Sequence, residues 1–340
     1  MKIALYLGGT SAERDVSLQS GKFIGKALVE LGHEVLYVDP ALSPERNKMQ
    51  IRADDSITDA PPSLAELEEM NHTHIFQLLL EPEIASCDFH FIGLHGGIGE
   101  NGILQGMFEH LGYKFNGPGY SASALAMDKH LSKQLMVAQE IPTPEWMLVT
   151  SEVWTNSPEK VRAHVEEKFT PPVVVKPNSQ GSTIGLTIVK DLQKLPAALD
   201  TSFQYDHRTL VEQFIPGREV TVAILNNQAM PVLEIKPKHD LYDYKSKYTS
   251  GMSEYEVPAN IEEGIRDKLQ NFSLRVYTAI GAHGYSRVDY RMSDGGEPFC
   301  LEVNTLPGMT NTSLVPKAAK AAGIQFEELL SRIIEAGRSK

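Results

Sequence analysis

Residues 286–290 (Ser-Arg-Val-Asp-Tyr) and 301–305 (Leu-Glu-Val-Asn-Thr) flank the turn signal Ser293-Asp294-Gly295-Gly296, and the whole reads as a β-hairpin. Side chains alternate along a strand, so Arg287 and Asp289 share one face and Glu302 and Asn304 share one face. If the strands pair with those faces aligned, two carboxylates, a carboxamide oxygen and a guanidinium meet in one patch. Hard oxygen donors of this kind suit Mg²⁺, which keeps few protein ligands and completes its shell with water and phosphate oxygens. A solvated hairpin face with exposed ion pairs would carry the same residues. The remainder of the chain has to decide between the two.

A chain of 340 residues exceeds one ordinary core, and two or three domains are expected; 41% hydrophobic residues suffice to fill several. A net charge of −12 argues against a general nucleic-acid binder, although local Lys and Arg can still hold an anionic substrate. Two cysteines, Cys87 and Cys300, make no disulfide framework and no metal-type spacing, which points to reduced thiols and a cytoplasmic setting. Residues 3–7 are too short for a signal-peptide core, and no apolar run reaches the roughly 18 residues of a membrane span.

The chain opens as strand (3–7), Gly8-Gly9-Thr10-Ser11, a helix with Ile24, Ala27, Leu28 and Leu31 in register, Gly32 as its stop, and a second strand (33–38). That order predicts a parallel sheet with right-handed crossovers. Residues 40–83 are polar and Pro-rich and read as a peripheral excursion with one helix near 63–70. Strand 88–94 resumes the sheet, followed by a helix carrying Leu104, Met107, Phe108 and Leu111. A second region starts with a helix whose apolar positions are Leu131, Leu135 and Ala138, and includes a helix begun by Ser157-Pro158 and strands at 172–176 and 184–189. A third region alternates as antiparallel sheet, with strands at 210–214, 219–225 and 230–235 and a turn at Asn226-Asn227. Residues 240–255 are polar, Tyr-rich and aperiodic, and read as a long functional loop.

Several positions carry potential chemistry, each with a plain alternative. Residues 177–183 (Pro-Asn-Ser-Gln-Gly-Ser-Thr) can present backbone N–H groups and hydroxyls to phosphate, or form an ordinary hairpin turn. Lys176 ends an apolar run, where a lysine is costly unless it meets an anion. Lys129, at a helix start, reads alone as a solvated residue. Glu212 and Glu219, on strands expected to be adjacent, are a ribose-contacting pair or two exposed glutamates. Residues 304–314 lead into a helix, so Ser313 and the first helical amides could hold a carboxylate or simply cap. Glu13 and His95 follow strand ends of the first sheet, where α/β folds keep their ligand crevice; capping and structural roles fit both.

Taken in order, these segments resemble the D-alanine–D-alanine ligases of the ATP-grasp superfamily. The resemblance covers most of the chain. It runs through residues 8–17 (Gly-Gly-Thr-Ser-Ala-Glu-Arg-Asp-Val-Ser), Leu94-His95-Gly96, Gly117-Pro118 to Met127-Asp128-Lys129, Val175-Lys176-Pro177 and Gly181-Ser182. It continues through Asp243-Tyr244-Lys245-Ser246-Lys247-Tyr248, the Arg287–Asp289 strand, and Glu302-Val303-Asn304-Thr305 to Pro307-Gly308-Met309-Thr310. No single piece decides; the ordered set does.

The resemblance implies an α/β and α+β architecture: an ATP-grasp fold with an N-terminal parallel-sheet, Rossmann-like domain (1–122), a small central domain (123–208) and a mainly antiparallel C-terminal domain (209–340) bearing a lid at about 240–255. It implies ATP-dependent joining of two D-alanines through a D-alanyl phosphate, for peptidoglycan synthesis, with Mg²⁺, or Mn²⁺ as substitute, on Asp289, Glu302 and Asn304. Lys129, Lys176 and Lys247 would contact ATP phosphates, with Glu212, Ile215 and Glu219 around adenine and ribose. Glu13 would hold the first ammonium and His95 would lie near its carboxylate. Arg287 and the Gly308 amide would stabilise the tetrahedral centre, and Ser313 and Leu314 would bind the second carboxylate. Ser182 and Tyr248 would link lid closure to Glu13. The implied partners are D-alanine and ATP, with no nucleic acid or membrane, in a homodimer. Departures exist: Asn101 stands where many relatives carry Asp, and residues 40–83 match no motif. The base for the second amine is not identified. A D-alanine–D-lactate or D-serine ligase is the close rival, disfavoured by Tyr248, and a non-catalytic ATP-binding regulator is the distant one, disfavoured by Arg287, Asp289, Glu302 and Asn304.

Overall fold

In the computed structural model, residues 1–47, 63, 65, 70–237, 253–310 and 313–339 are described. Among them the strands form three sheets. The first is parallel, with β1 (Lys2–Tyr6) between β2 (Glu34–Val38) and β3 (Phe89–Ile92). β1 is central and Ile3 through Tyr6 are fully buried, which is why it reads as an unbroken apolar run. After it, Gly8 and Gly9 take φ of +74° and +77°. A Cβ on Gly8 would come within 2.8 Å of Asp39 and Arg14, so only glycine lets the chain turn here and deliver Glu13 to the start of helix Arg14–Glu30. Gly32, at φ +81°, stops that helix as expected.

The helix expected near 63–70 falls mostly on residues 64 and 66–69, which lie outside the described residues; Ala65 is helical. Further helices occupy Pro44–Asn47, His74–Leu80 and Pro82–Ala85. Ile75, Leu78 and Leu79 bury into the first core; their one-turn spacing is too short to stand out as periodicity.

The second sheet is antiparallel, in the order β4 (Trp146–Thr150), β7 (Arg208–Gln213), β5 (Val173–Pro177), β6 (Thr187–Val189). Helices Pro158–Lys168 and Leu195–Phe203 cover it through Val161, Val165, Leu195 and Leu199. Ser157 precedes Pro158 as expected but makes no side-chain cap. The expected partner of β7 was the strand that follows it. It pairs with β4 and β5 instead, because residues 214–217 turn the chain away from the strand that follows.

The third sheet runs β11 (Ser253–Glu256), β10 (Leu233–Pro237), β8 (Arg218–Leu225), β12 (Tyr285–Met292), β13 (Pro298–Asn304), with β9 (Gln228–Ala229) on β8. β8 and β9 are joined by Asn226 and Asn227, both left-handed as that turn requires. The end of the expected 240–255 loop is strand, since residues 253–255 pair with β10; residues 238–252 lie outside the described residues. Helix Glu263–Ala279 packs Leu269, Phe272 and Val276 under the sheet.

Asn116 joins the first and third units. Its Oδ1 accepts from the Ile92 amide at 2.5 Å, and its Nδ2 donates to the Ile92 carbonyl at 3.1 Å and the Tyr285 hydroxyl at 3.0 Å, all fully buried. Asn116→Ala strands a backbone N–H, its carbonyl and a phenol, and is expected to cost about 2–4 kcal/mol in urea unfolding. An unchanged midpoint would contradict this reading.

Candidate active site

Two clefts, of about 930 and 1180 Å³ and open to solvent, meet between the three units and share Lys129, Gly181, Ser182, Arg287, Glu302 and Leu314. Their common floor is the β12–β13 hairpin, paired as the alternation required: Arg287 opposite Asn304, Asp289 opposite Glu302. Beyond that pair the register slips, and Tyr290 faces Cys300. Leu301 is the extra residue. The bulge lets Cys300 and Val303 stay in the core while Leu301, Glu302 and Asn304 all reach the cleft side.

The patch is charged and tightly paired. Arg287 grips both oxygens of Asp289, at 2.8 and 2.7 Å, and Thr221 on the neighbouring strand donates to Asp289 Oδ1 at 2.6 Å. Lys129 Nζ lies 3.2 Å from Glu302 Oε2 and donates to the Gln180 carbonyl at 2.7 Å. Asn304 Oδ1 accepts from the Leu306 amide at 3.0 Å. Among the described residues no cluster of three or more His, Cys, Asp or Glu side chains forms a metal site. The candidate set here is two carboxylates, each met by a cation, and one amide oxygen held by the Leu306 N–H.

In the smaller cleft, the Ser182 hydroxyl donates to Glu13 Oε1, so the 177–183 loop of the second unit reaches the first. Gly96 and Gly181 leave the room for this: a Cβ on either would come within 2.7 or 3.1 Å of Glu13 Oε2. His95 is buried, with Nε2 2.8 Å from Ser20 Oγ and Nδ1 3.8 Å from Glu100. Opposite, a Cβ on Gly308 would lie 3.0 Å from Ser313 Oγ and 3.9 Å from His95 Nε2, so these three crowd one wall. The Ser313 hydroxyl accepts from the Thr310 amide at 3.0 Å and makes no cap to helix Leu314–Ala321. Asn101, the departure noted above, accepts from the Ile103 amide at 3.0 Å and serves as a local turn.

The larger cleft lies between the second and third sheets. Glu212 and Glu219 were expected on adjacent strands; they face it from different sheets. Glu212 is buried with Lys176 Nζ at 2.8 Å and Lys133 Nζ at 3.2 Å. Burial alone would raise its carboxyl, but the two ammonium groups outweigh that and hold it below the ordinary range. Arg291 fixes the connection beyond β7 by donating to the Ile215 and Gly217 carbonyls at 3.1 and 2.8 Å, and lies 3.8 Å from Glu219. Ile215, Leu186, Ile188 and Leu301 give this cleft an apolar lining. Lys247 and Tyr248 lie outside the described residues.

Some participants had no sequence signal. Thr221 and Leu301 depend on register. Helix Lys129–Ala138 turns a different face inward than its leucines suggest: Leu131 is exposed, while Lys129, Ser132, Lys133 and Met136 are buried. Ion pairs from Lys129 to Glu302 and from Lys133 to Glu212 override hydrophobic spacing there.

Family profiles described as the D-ala D-ala ligase N-terminus and C-terminus match residues 2–118 and 135–335. The chain belongs to the D-alanine–D-alanine ligase family. It is 41% identical to the D-alanine–D-alanine ligase of Gloeobacter violaceus over 336 residues, 98% of this chain and 99% of that one. It is 40% identical to that of Halalkalibacterium halodurans over the full length of both. A crystal structure of the Bacillus anthracis D-alanine–D-alanine ligase complexed with ATP superposes with a TM-score of 0.77 at 30% identity, covering 100% of this chain and 97% of that one. Members of this family share the ATP-grasp architecture expected from the ordered segments.

Asp128 sets Lys129 in place. Its Oδ1 caps the helix through the Leu131 amide at 3.0 Å, and its Oδ2 takes Arg208 at 2.7 Å. Burial would raise its carboxyl, and the Leu131 amide, Asn178 and Arg208 together bring it below the ordinary range. With the folded value depressed, the stabilisation is full above the unfolded pKa of about 3.9 and fades as pH falls through the lowered one. Asp128→Asn is therefore expected to be less stable than wild type at pH 7 and to converge with it in strong acid, by urea midpoint. A gap that stays constant with pH would contradict the assignment.

Proposed function

We propose that the protein ligates two D-alanine molecules to D-alanyl-D-alanine at the expense of ATP, for peptidoglycan synthesis, with the nucleotide in the larger cleft and the amino acids in the smaller. The observation that carries this reading is the junction: the Asp289–Glu302 pair lies where the two clefts meet, so phosphate chain and carboxylate can converge there.

Mg²⁺ fits the donor set, two opposed carboxylates and an amide oxygen on one face of the β12–β13 hairpin, and the cations now neutralising the carboxylates mark a patch that requires positive charge. When bound, it would neutralise phosphate oxygens and hold them in line. Lys129 and Lys176 supply further positive charge toward the phosphates. Ile215 and Leu301 contact the base, and Glu219 accepts from ribose hydroxyls. Glu13 receives the ammonium of the first D-alanine, and its tie to Ser182 couples that event to the 177–183 loop. His95 lies beside the first carboxylate. Arg287 and the Gly308 amide donate to the oxyanion formed when the second amine attacks the acyl phosphate, an interaction of the type worth roughly 3–4 kcal/mol. Ser313 and the first amides of its helix take the second carboxylate. Lys247 and Tyr248 carry the lid role that protects an acyl phosphate from water.

Two free cysteines are compatible with a cytoplasmic setting, and among the described residues no helix is long and apolar enough to cross a membrane. A homodimer is carried over from the family resemblance alone.

The direct test is phosphate release on adding ATP, Mg²⁺ and D-alanine, with chromatographic detection of D-alanyl-D-alanine; D-lactate as second substrate should be slower near neutral pH. Intact nucleotide binding with no release would contradict the reading. Asp289→Asn and Glu302→Gln should each lower kcat by about 100-fold or more while melting within a few degrees of wild type. Normal turnover in both would remove the metal assignment.

A further inference from the structure

Helix Lys129–Ala138 buries a lysine that no step above uses. Lys133 is fully buried and stands behind Glu212, outside the lining of either cleft. Its ammonium donates to Thr143 Oγ1 at 2.6 Å and the Pro144 carbonyl at 3.0 Å, and lies 3.2 Å from Glu212 Oε1 and 5.2 Å from the Trp146 ring centre. Thr143 in turn donates to the Cys300 carbonyl at 2.8 Å, next to the bulge. A lysine taken wholly out of water is costly, and this one is held by one carboxylate, two oxygens and an indole face. Lys176 approaches the other oxygen of the same Glu212, at 2.8 Å, and lines the larger cleft. Two ammonium groups thus share one carboxylate, one from behind and one from the cleft.

We infer that Lys133 is a positioning residue that neutralises Glu212 from behind, leaving Lys176 as net positive charge for the phosphates of the bound nucleotide. Without Lys133, Glu212 and Lys176 form a closed pair. The cleft then loses one unit of charge and the Pro144 wall loses its support. The inference rests on the nucleotide reading of the larger cleft. It also implies a pH dependence. Burial lowers the Lys133 ammonium to about 8, against the pull of Glu212. The groups that face it are Glu212 on β7, Lys176 on β5 and the Cys300 thiol on β13, whose own burial pushes it up; Thr143 and Trp146 carry no charge. Deprotonation of Lys133 should act like its removal.

The test compares ATP and adenosine binding by calorimetry for wild type, Lys133→Met and the double variant Lys133→Met/Glu212→Gln. Lys133→Met should weaken ATP about tenfold or more and adenosine far less, because the lost term is charge on phosphate. Removing the Glu212 charge in the same background should recover much of the ATP loss by releasing Lys176. Wild-type affinity for ATP should also fall between pH 7 and 9, while the double variant stays flat. That arm holds even if the single variant does not fold. Equal loss of ATP and adenosine, no recovery in the double variant, or a flat wild-type profile would overturn the inference. A wild type that binds no ATP would instead overturn the nucleotide reading itself, and this inference with it.

Discussion

The register of one strand pair governs the site. β12 and β13 place Asp289 opposite Glu302, and the bulge at Leu301 lets two consecutive residues of β13 face the clefts. Were Leu301 held in a regular strand and not bulged out, a strict period of two would put Glu302 on the same face as Cys300, which is fully buried. The core of Val288, Tyr290, Cys300 and Val303 locks the inner face, so the outer face is not free to slip. The geometry of the proposed site is a by-product of core packing, and Thr221 on β8 fastens Asp289 a third time.

Charge is the second organising theme. A chain with net charge −12 concentrates Lys129, Lys176, Arg287 and Arg291 on the walls of one cleft, the positive charge that the proposed nucleotide site requires. Each sits close to a carboxylate. Such pairing aims the cations, and under the proposed function each would exchange its carboxylate for a phosphate when nucleotide enters. The Ser182–Glu13 contact extends the same logic between units, since a loop of the second unit completes a pocket of the first.

Much of this was legible in the sequence, for identifiable reasons. The parallel opening follows from an unbroken apolar strand and a glycine turn, both local signals. The β12–β13 hairpin follows from alternation either side of Ser293-Asp294-Gly295-Gly296, and its register fell as the alternation required. What was not legible depends on contacts distant in sequence. β7 joins β4 and β5 rather than β8, so Glu212 and Glu219 meet across a cleft instead of along a sheet. Lys133 is buried where Leu131 is exposed, because the inward face of that helix meets Glu212 and not an apolar core. Leu301 enters the cleft only through a bulge that no residue type announces.

The proposed chemistry requires Asp289, Glu302 and Asn304 to surround one divalent cation at the junction of the two clefts. A crystal grown with ADP and Mn²⁺ tests it through the anomalous signal of the metal. The expected result is a peak bonded to oxygens of all three side chains, at the roughly 2.0–2.1 Å of a hard octahedral cation, with phosphate oxygens completing the shell. A peak bonded elsewhere, with Arg287 and Lys129 still clasping Asp289 and Glu302, would contradict it.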